Sequence, residues 1–172
     1  EVLMRIVDVW LSIPFILLAM VSTIIFGQSF TVLVFLLALF SWVPFVRLVR
    51  AQTLGLKELD YIAMSKVVGS SRYRIISRHI LPGTINTIVV IASLRVGQLI
   101  AVESILSFLG AGIPPPTPSW GVMINDGRGY ITDAWWIAFF PGMTIVLIVL
   151  AANFLGDWMR DHFDPRLRQL DE

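Results

Sequence analysis

Residues 9–46 read VWLSIPFILLAMVSTIIFGQSFTVLVFLLALFSWVPFV, a stretch without a single Asp, Glu, Lys or Arg. A membrane-crossing helix needs about 20 mostly apolar residues, roughly 17 to 25, so this stretch holds two, at 9–26 and 30–46. Only Gly27, Gln28 and Ser29 separate them, and so short a link forces an antiparallel helical hairpin. Pro14 and Pro44 fall inside the two spans and are expected to bend them, because proline removes a backbone donor and its ring crowds the preceding turn.

Two further stretches, 84–109 and 134–155, meet the same criterion. The expected fold is therefore all-α and integral to a membrane, a single transmembrane domain over 1–172 with about four spans. A chain that is 56% apolar and 15% charged lies far from a soluble domain, in which about a quarter of residues are charged. Four such stretches as buried core helices would leave too little polar surface to cover them. The chain opens on Glu1 with no initiator Met, and we expect it to be an excerpt that lacks N-terminal spans.

Composition also excludes chemistries. Thirteen basic against twelve acidic side chains give no bulk electrostatic attraction for nucleic acid. Absence of cysteine rules out disulfides, thiolate metal sites and cysteine nucleophiles, and two histidines are too few for a histidine metal cage. None of the twelve glycines is followed by Lys, so there is no G-x-x-x-x-G-K-[ST] phosphate loop; H-E-x-x-H and G-x-S-x-G are missing too. No catalytic residue, metal site or cofactor is expected in this chain. Asp157, Asp161 and Asp164 alternate with Arg160 and Arg166, a pattern for a helix end and a polar surface.

Positive charge is retained on the cytoplasmic side of a membrane. Arg5 precedes the first span; Arg47, Arg50, Lys57, Lys66, Arg72, Arg74 and Arg78 lie between the second and third; Arg160, Arg166 and Arg168 follow the fourth. Residues 111–133 carry only Arg128. Both ends and loop 51–81 are therefore expected in the cytoplasm, with 111–133 outside.

Within loop 51–81, Leu56, Leu59, Ile62 and Ala63 recur at spacings of three or four, interleaved with Lys57, Glu58 and Asp60, which predicts one short amphipathic helix. Gly69 should end it. Ser70 or Ser71 can cap a second helix bearing Ile75, Ile76 and Ile80 before Pro82 opens the third span. An apolar stripe outside the bilayer must be covered, either by the membrane surface or by a groove on a partner.

Asp60-Tyr61-Ile62-Ala63-Met64-Ser65-Lys66-Val67-Val68-Gly69 followed by Arg78-His79-Ile80-Leu81-Pro82 resembles the EAA-x-x-x-G loop of ATP-binding-cassette importer permeases. Ser41-Trp42 through Arg47 and Arg50, Leu106-Ser107-Phe108-Leu109-Gly110-Ala111-Gly112, Pro115-Pro116-Thr117-Pro118-Ser119-Trp120-Gly121 and the closing Asn153-Phe154-Leu155-Gly156-Asp157, Arg160-Asp161, Asp164-Pro165-Arg166 are similar to ordered blocks of the dipeptide, oligopeptide and nickel permeases. The resemblance implies the type I importer permease (MetI-like) fold and a six-helix subunit. It also implies a second permease subunit, two ATP-binding subunits that hold ATP and Mg²⁺, an extracytoplasmic solute-binding protein, and a bacterial or archaeal plasma membrane. The cargo implied is a di- or oligopeptide, with a nickel chelate or another small solute as the alternative. In that family the loop docks into the ATPase, which makes Leu56, Leu59, Asp60, Ile62, Ala63, Met64, Ser65 and Gly69 the candidate coupling residues. The family's usual Glu is Ala63 here, and its two Ala positions are Met64 and Ser65; Asp60 or Glu58 is the acid nearest to hand.

Arg95 and Glu103 fall inside the third span. A charge near mid-bilayer costs at least roughly 2.5 to 3.5 kcal/mol and should face a wet cavity or a partner. Both are candidate pathway residues, Arg95 as a match for a peptide carboxylate; the opposing reading has them neutralising each other or pairing with a second subunit. The resemblance suggests that the proline-rich 111–133 loop meets the binding protein, while Trp135 and Trp136 suit the membrane interface. Two rival functions stand beside the ATP-driven permease. An ion-coupled secondary transporter would need no motor-docking loop, and a non-transporting membrane assembly would use the charged span as a joint.

Overall fold

The computed structural model describes residues 2–163; Asp164, Arg166 and Arg168 lie outside them. The described residues form helices α1 (Val2–Leu11), α2 (Phe15–Phe26), α3 (Phe30–Lys57), α4 (Asp60–Val67), α5 (Arg72–Ile75), α6 (Leu81–Phe108), α7 (Trp120–Gly127) and α8 (Trp136–Phe163). A π-helical turn, Ile76–Ile80, joins α5 to α6, and a 3₁₀ turn, Arg128–Tyr130, follows α7. Three helical runs are long and apolar enough to cross a membrane: Phe30–Lys57, Arg72–Phe108 and Trp136–Arg160. The bent pair α1 and α2 makes a fourth if counted as one span.

The expected single helix over 9–26 is thus corrected. Pro14 does more than bend it: α1 and α2 meet at 78°. Ser12 and Ile13 bond back to Val9 and Trp10 with three-residue reach, closing α1. Pro14 is extended at φ −62 and ψ 113, and its carbonyl accepts from Leu18, so the proline ends one helix and starts the next. Pro44, by contrast, lies within an unbroken α3.

The chain divides into two compact units, Glu1–Trp42 with Arg95–Asn153, and Val43–Leu94 with Phe154–Glu172. In the first, Phe15 and Phe40 have ring centroids 4.4 Å apart and Trp10 and Trp42 6.4 Å apart. Those pairings are nearly symmetric about the Gly27–Ser29 link, as an antiparallel hairpin requires. Ala19, Leu33, Leu36, Leu106 and Ala111 form the core of this unit, so the hairpin packs on the C-terminal end of α6. Gly97 brings α6 close to α8, where an added Cβ would stand 3.3 Å from the Val149 carbonyl and from the Asn153 side chain.

In the second unit, Ile62, Ile75 and Ile80 form a small core backed by Leu56. Gly83 leaves space for Leu56, whose Cδ1 would lie 2.9 Å from a Cβ there. Gly156 does the same for Leu94.

The span boundaries differ from expectation in one consistent way. Helix continues past the apolar stretch: α3 runs on to Lys57 rather than stopping at residue 46, the third span is helical from Arg72 rather than 84, and α8 extends to Phe163 rather than 155. Residues 47–54 are mostly good helix formers without Gly or Pro, so the helix outlives the hydrophobic run. The π-turn marks the approach to Pro82. Its last amide bond runs from Leu81 back five residues to Ile76, widening the backbone where the proline ring would otherwise press on the turn before it.

Candidate functional site

The basic loop is built differently from its predicted form. The stripe Leu56, Leu59, Ile62, Ala63 does not share one helix: α3 ends at Lys57, Leu59 is extended at φ −77 and ψ 140, and α4 begins at Asp60. That break resets the helical phase. Ile62 turns inward and is 0% exposed, packed with Ile75, Ile80 and Leu56. Leu59 and Ala63 stay exposed.

The face of α4 left open is another one. Met64 is 71% exposed, Val67 87% and Val68 84%, and with Tyr61 they fall at i, i+3, i+6 and i+7, one side of a helix. Ile62 lies about 160° from the centre of that side at 100° per residue. Tyr73 on α5 is also exposed, while the Tyr61 ring meets the His79 ring at 5.8 Å. Sequence reasoning named Met64 but missed Val67, Val68 and Tyr61. Their spacing against Met64 was the available signal, hidden by the assumption of an uninterrupted helix from Leu56.

Asp60 sits in the first turn of α4 and is exposed, where a carboxylate complements the positive end of the helix dipole. Gly69 ends the helix at φ +81. Its amide bonds Lys66 at 3.0 Å and the Ser70 amide bonds Ser65 at 3.0 Å, which is the Schellman arrangement that satisfies two otherwise unpaired carbonyls. Ser71 then caps α5 by accepting from the Arg74 amide at 3.3 Å.

Arg95 and Glu103 are not brought together. Arg95, half-buried, donates from Nη1 to Gln98 Oε1 one turn on. Glu103 accepts from Ser107 Oγ at 2.6 Å. Ser104 Oγ is 3.5 Å from its other carboxylate oxygen and 2.9 Å from the Ile100 carbonyl. Ser107 in turn accepts from the Ile113 amide at 3.2 Å.

The segment after α6 wraps around this point. Gly110, at φ +78, ends α6 with the same pair of bonds seen at Gly69: Gly110 to Ser107 at 3.1 Å and Ala111 to Leu106 at 2.8 Å. The Gln28 side chain donates to the Gly110 carbonyl. A Cβ on Gly112 would collide with Ser107, and one on Gly121 with the Ser104 carbonyl and with Ser107 Cβ. The expected stiff loop is partly helical, since Ser119 caps α7 by accepting from Val122 at 3.3 Å. Trp135 packs edge-on against Trp136 and Phe139.

Among the described residues no group of three His, Cys, Asp or Glu could hold a metal ion. Long apolar helices and a charged residue within a span define a multi-pass membrane protein, whose loop is packed on its own small core and leaves a second apolar face open. Residues 1–169 match the binding-protein-dependent transport system inner membrane component family, and the chain belongs to it, with the all-helical type I importer permease fold of that family. Over 98% of its length it is 45% identical to the glutathione transport system permease protein GsiD of Pectobacterium atrosepticum, and 43% identical to that of Escherichia coli O157:H7. It covers 56% and 55% of those two proteins, so it spans about half the length of these relatives.

Proposed function

We propose that this chain forms part of the translocation pathway of an ATP-driven importer for peptide-class solutes, working by alternating access. The observation that carries the reading is the open apolar face of α4, Met64, Val67 and Val68, on an element already satisfied by its own Ile62, Ile75 and Ile80 core. Such a face needs a cover from outside the chain, and a groove on an ATP-binding subunit supplies it. The surrounding Lys57, Lys66, Arg72, Arg74 and Arg78 favour a cytoplasmic position for this face, on the side where the ATP is. ATP-driven closure of two such subunits, carrying ATP and Mg²⁺, would move α4 and rock the spans.

Membership of a binding-protein-dependent family supports a second permease subunit and an extracytoplasmic binding protein as partners. The relatives named for glutathione support a small peptide as cargo. Arg95, steadied by Gln98, is the charge proposed to meet a substrate carboxylate. The test is reconstitution of the full-length subunit with its permease, ATPase and binding-protein partners in liposomes, with glutathione, a dipeptide, a longer oligopeptide and a nickel chelate as competing cargoes. Uptake of a peptide that depends on ATP and on the binding protein is expected. Uptake driven by an ion gradient without the ATPases would refute the reading, and preference for the nickel chelate would refute the cargo.

A further inference from the structure

We propose that Glu103 is a positioning residue for the segment after α6: it takes the one proton of the Ser107 hydroxyl and so turns a Ser107 lone pair onto the Ile113 amide. The roles are forced by chemistry. A carboxylate can only accept, an amide N–H can only donate, and a hydroxyl has a single proton and two lone pairs. With Glu103 Oε1 at 2.6 Å and the Ile113 nitrogen at 3.2 Å from the same Oγ, Ser107 must donate to the first and accept from the second. Ser107 is only 2% exposed, so water does not stand in for either partner.

The packing around this relay is built to a fixed shape. Gly112 and Gly121 both lie where a Cβ would strike Ser107 or Ser104, so residues 110–121 are drawn against the last turn of α6 at two points, and the Ile113 amide is tied between them. Glu103 is thus withdrawn from the substrate role suggested by its place in the span. Resting on the importer reading above, the tethered segment is the outward surface that receives a solute-binding protein. Its shape should then govern how well that protein docks, not how fast the docked complex turns over.

The experiment uses the full-length permease complex in lipid nanodiscs with Glu103→Ala, Glu103→Gln, Ser107→Ala and the Glu103→Ala/Ser107→Ala pair. Hydrogen exchange at residues 109–113 reports the tether directly, and titration with the binding protein separates half-saturation from the maximal rate of ATP hydrolysis. Glu103→Ala should speed exchange at Ile113 about tenfold, the upper end expected for loss of one hydrogen bond, and raise the half-saturating binding-protein concentration by a similar factor at an unchanged maximal rate. Glu103→Gln keeps an acceptor oxygen and should behave as the parent. Ser107→Ala should match Glu103→Ala, and the pair should be no worse than either alone, because both act through one bond.

Unaltered exchange at 109–113 in both single alanine variants would overturn the tether. A Glu103→Gln variant as impaired as Glu103→Ala, or a fall in maximal rate at unchanged half-saturation, would overturn the positioning role in favour of a charge acting on the cargo. If the parent complex showed no stimulation by a binding protein, the importer reading would fail, while the exchange data would still decide whether Glu103 holds the segment.

Discussion

Two helix stops in this chain use the same hydrogen bonds and lead to opposite kinds of surface. Gly69 and Gly110 stand at φ +81 and +78, and each is flanked by the six-to-one and five-to-two bonds of a Schellman turn. At Gly110 the residues joined by the six-to-one bond are Leu106 and Ala111, both buried, and the chain that follows is seated by Gly112, Gly121 and the Ser107 hydroxyl. At Gly69 they are Ser65 and Ser70, neither of them buried, and the helix before it ends on the bare Val67 and Val68. The first stop closes a packed structure; the second leaves an apolar face available. What distinguishes a packed stop from an open one is therefore the side chains around the turn, not the turn itself.

The comparison breaks most visibly at Ile62. Placing a carboxylate at a fully buried site beside Ile75 and Ile80 should cost about 4 kcal/mol or more locally. Ile62→Asp is expected to detach α4 from α5, seen as rapid tryptic cleavage at Lys66 and Arg72 in the purified complex. It would also abolish ATPase binding, but by unfolding the element, so it cannot serve as a test of docking. Parent-like resistance to trypsin would refute the Ile62 core.

Next in size is Gly121→Ala. The new methyl meets the Ser104 carbonyl, a backbone atom that cannot swing aside, and overpacking of this kind costs about 1 to 3 kcal/mol. A lower melting temperature of the detergent-solubilised complex and faster exchange over 109–121 are expected, with ATPase binding retained. Gly69→Ala should cost less, about 1 kcal/mol, because the surroundings are open and only the positive φ is strained. Gly69→Asn should recover part of that, since Asn tolerates the left-handed region. If Gly69→Ala proved costlier than Gly121→Ala, the contrast drawn between the two stops would be wrong.

Much of the fold was legible in the sequence, because charge-free runs such as 9–46 admit few structures other than spanning helices. What could not be read was where helix ends once hydrophobicity does. Arg47 and Arg50 mark the edge of the apolar run, yet backbone hydrogen bonding carries α3 on to Lys57, since polarity alone does not stop a helix. Pro14 and Pro44 carried the same signal and behave differently: Pro14 separates two helices and Pro44 lies inside one. Proline removes one bond, and surrounding packing decides whether the helix survives it. At the loop, one undetected break at Glu58–Leu59 rotated every later residue, turning Ile62 inward and Met64, Val67 and Val68 outward. Glu103 was read through its depth in the span, although Ser107 four residues on, one helical turn away, was the partner in plain view.

The smallest expected effect on stability belongs to the change that says most about the open face. Met64→Asp with Val67→Asp alters side chains that are 71% and 87% exposed, and exposed substitutions usually shift stability by about 0.5 kcal/mol or less. Resistance to trypsin and melting temperature should stay near those of the parent complex. A charge at the centre of an apolar contact is another matter: loss of about 2 kcal/mol of binding is typical of an anchor position and corresponds to roughly thirtyfold weaker association. ATP-binding subunits should therefore fail to copurify at low concentration and return when supplied in large excess. Were α4 instead a helix resting on anionic lipid, the same variant would keep its ATPase subunits and lose contact with lipid headgroups. A spin label on Tyr73→Cys, an exposed position on the following helix α5, would separate these outcomes. Its mobility should rise when the ATPase is lost from the double variant, and stay unchanged when lipid composition is varied.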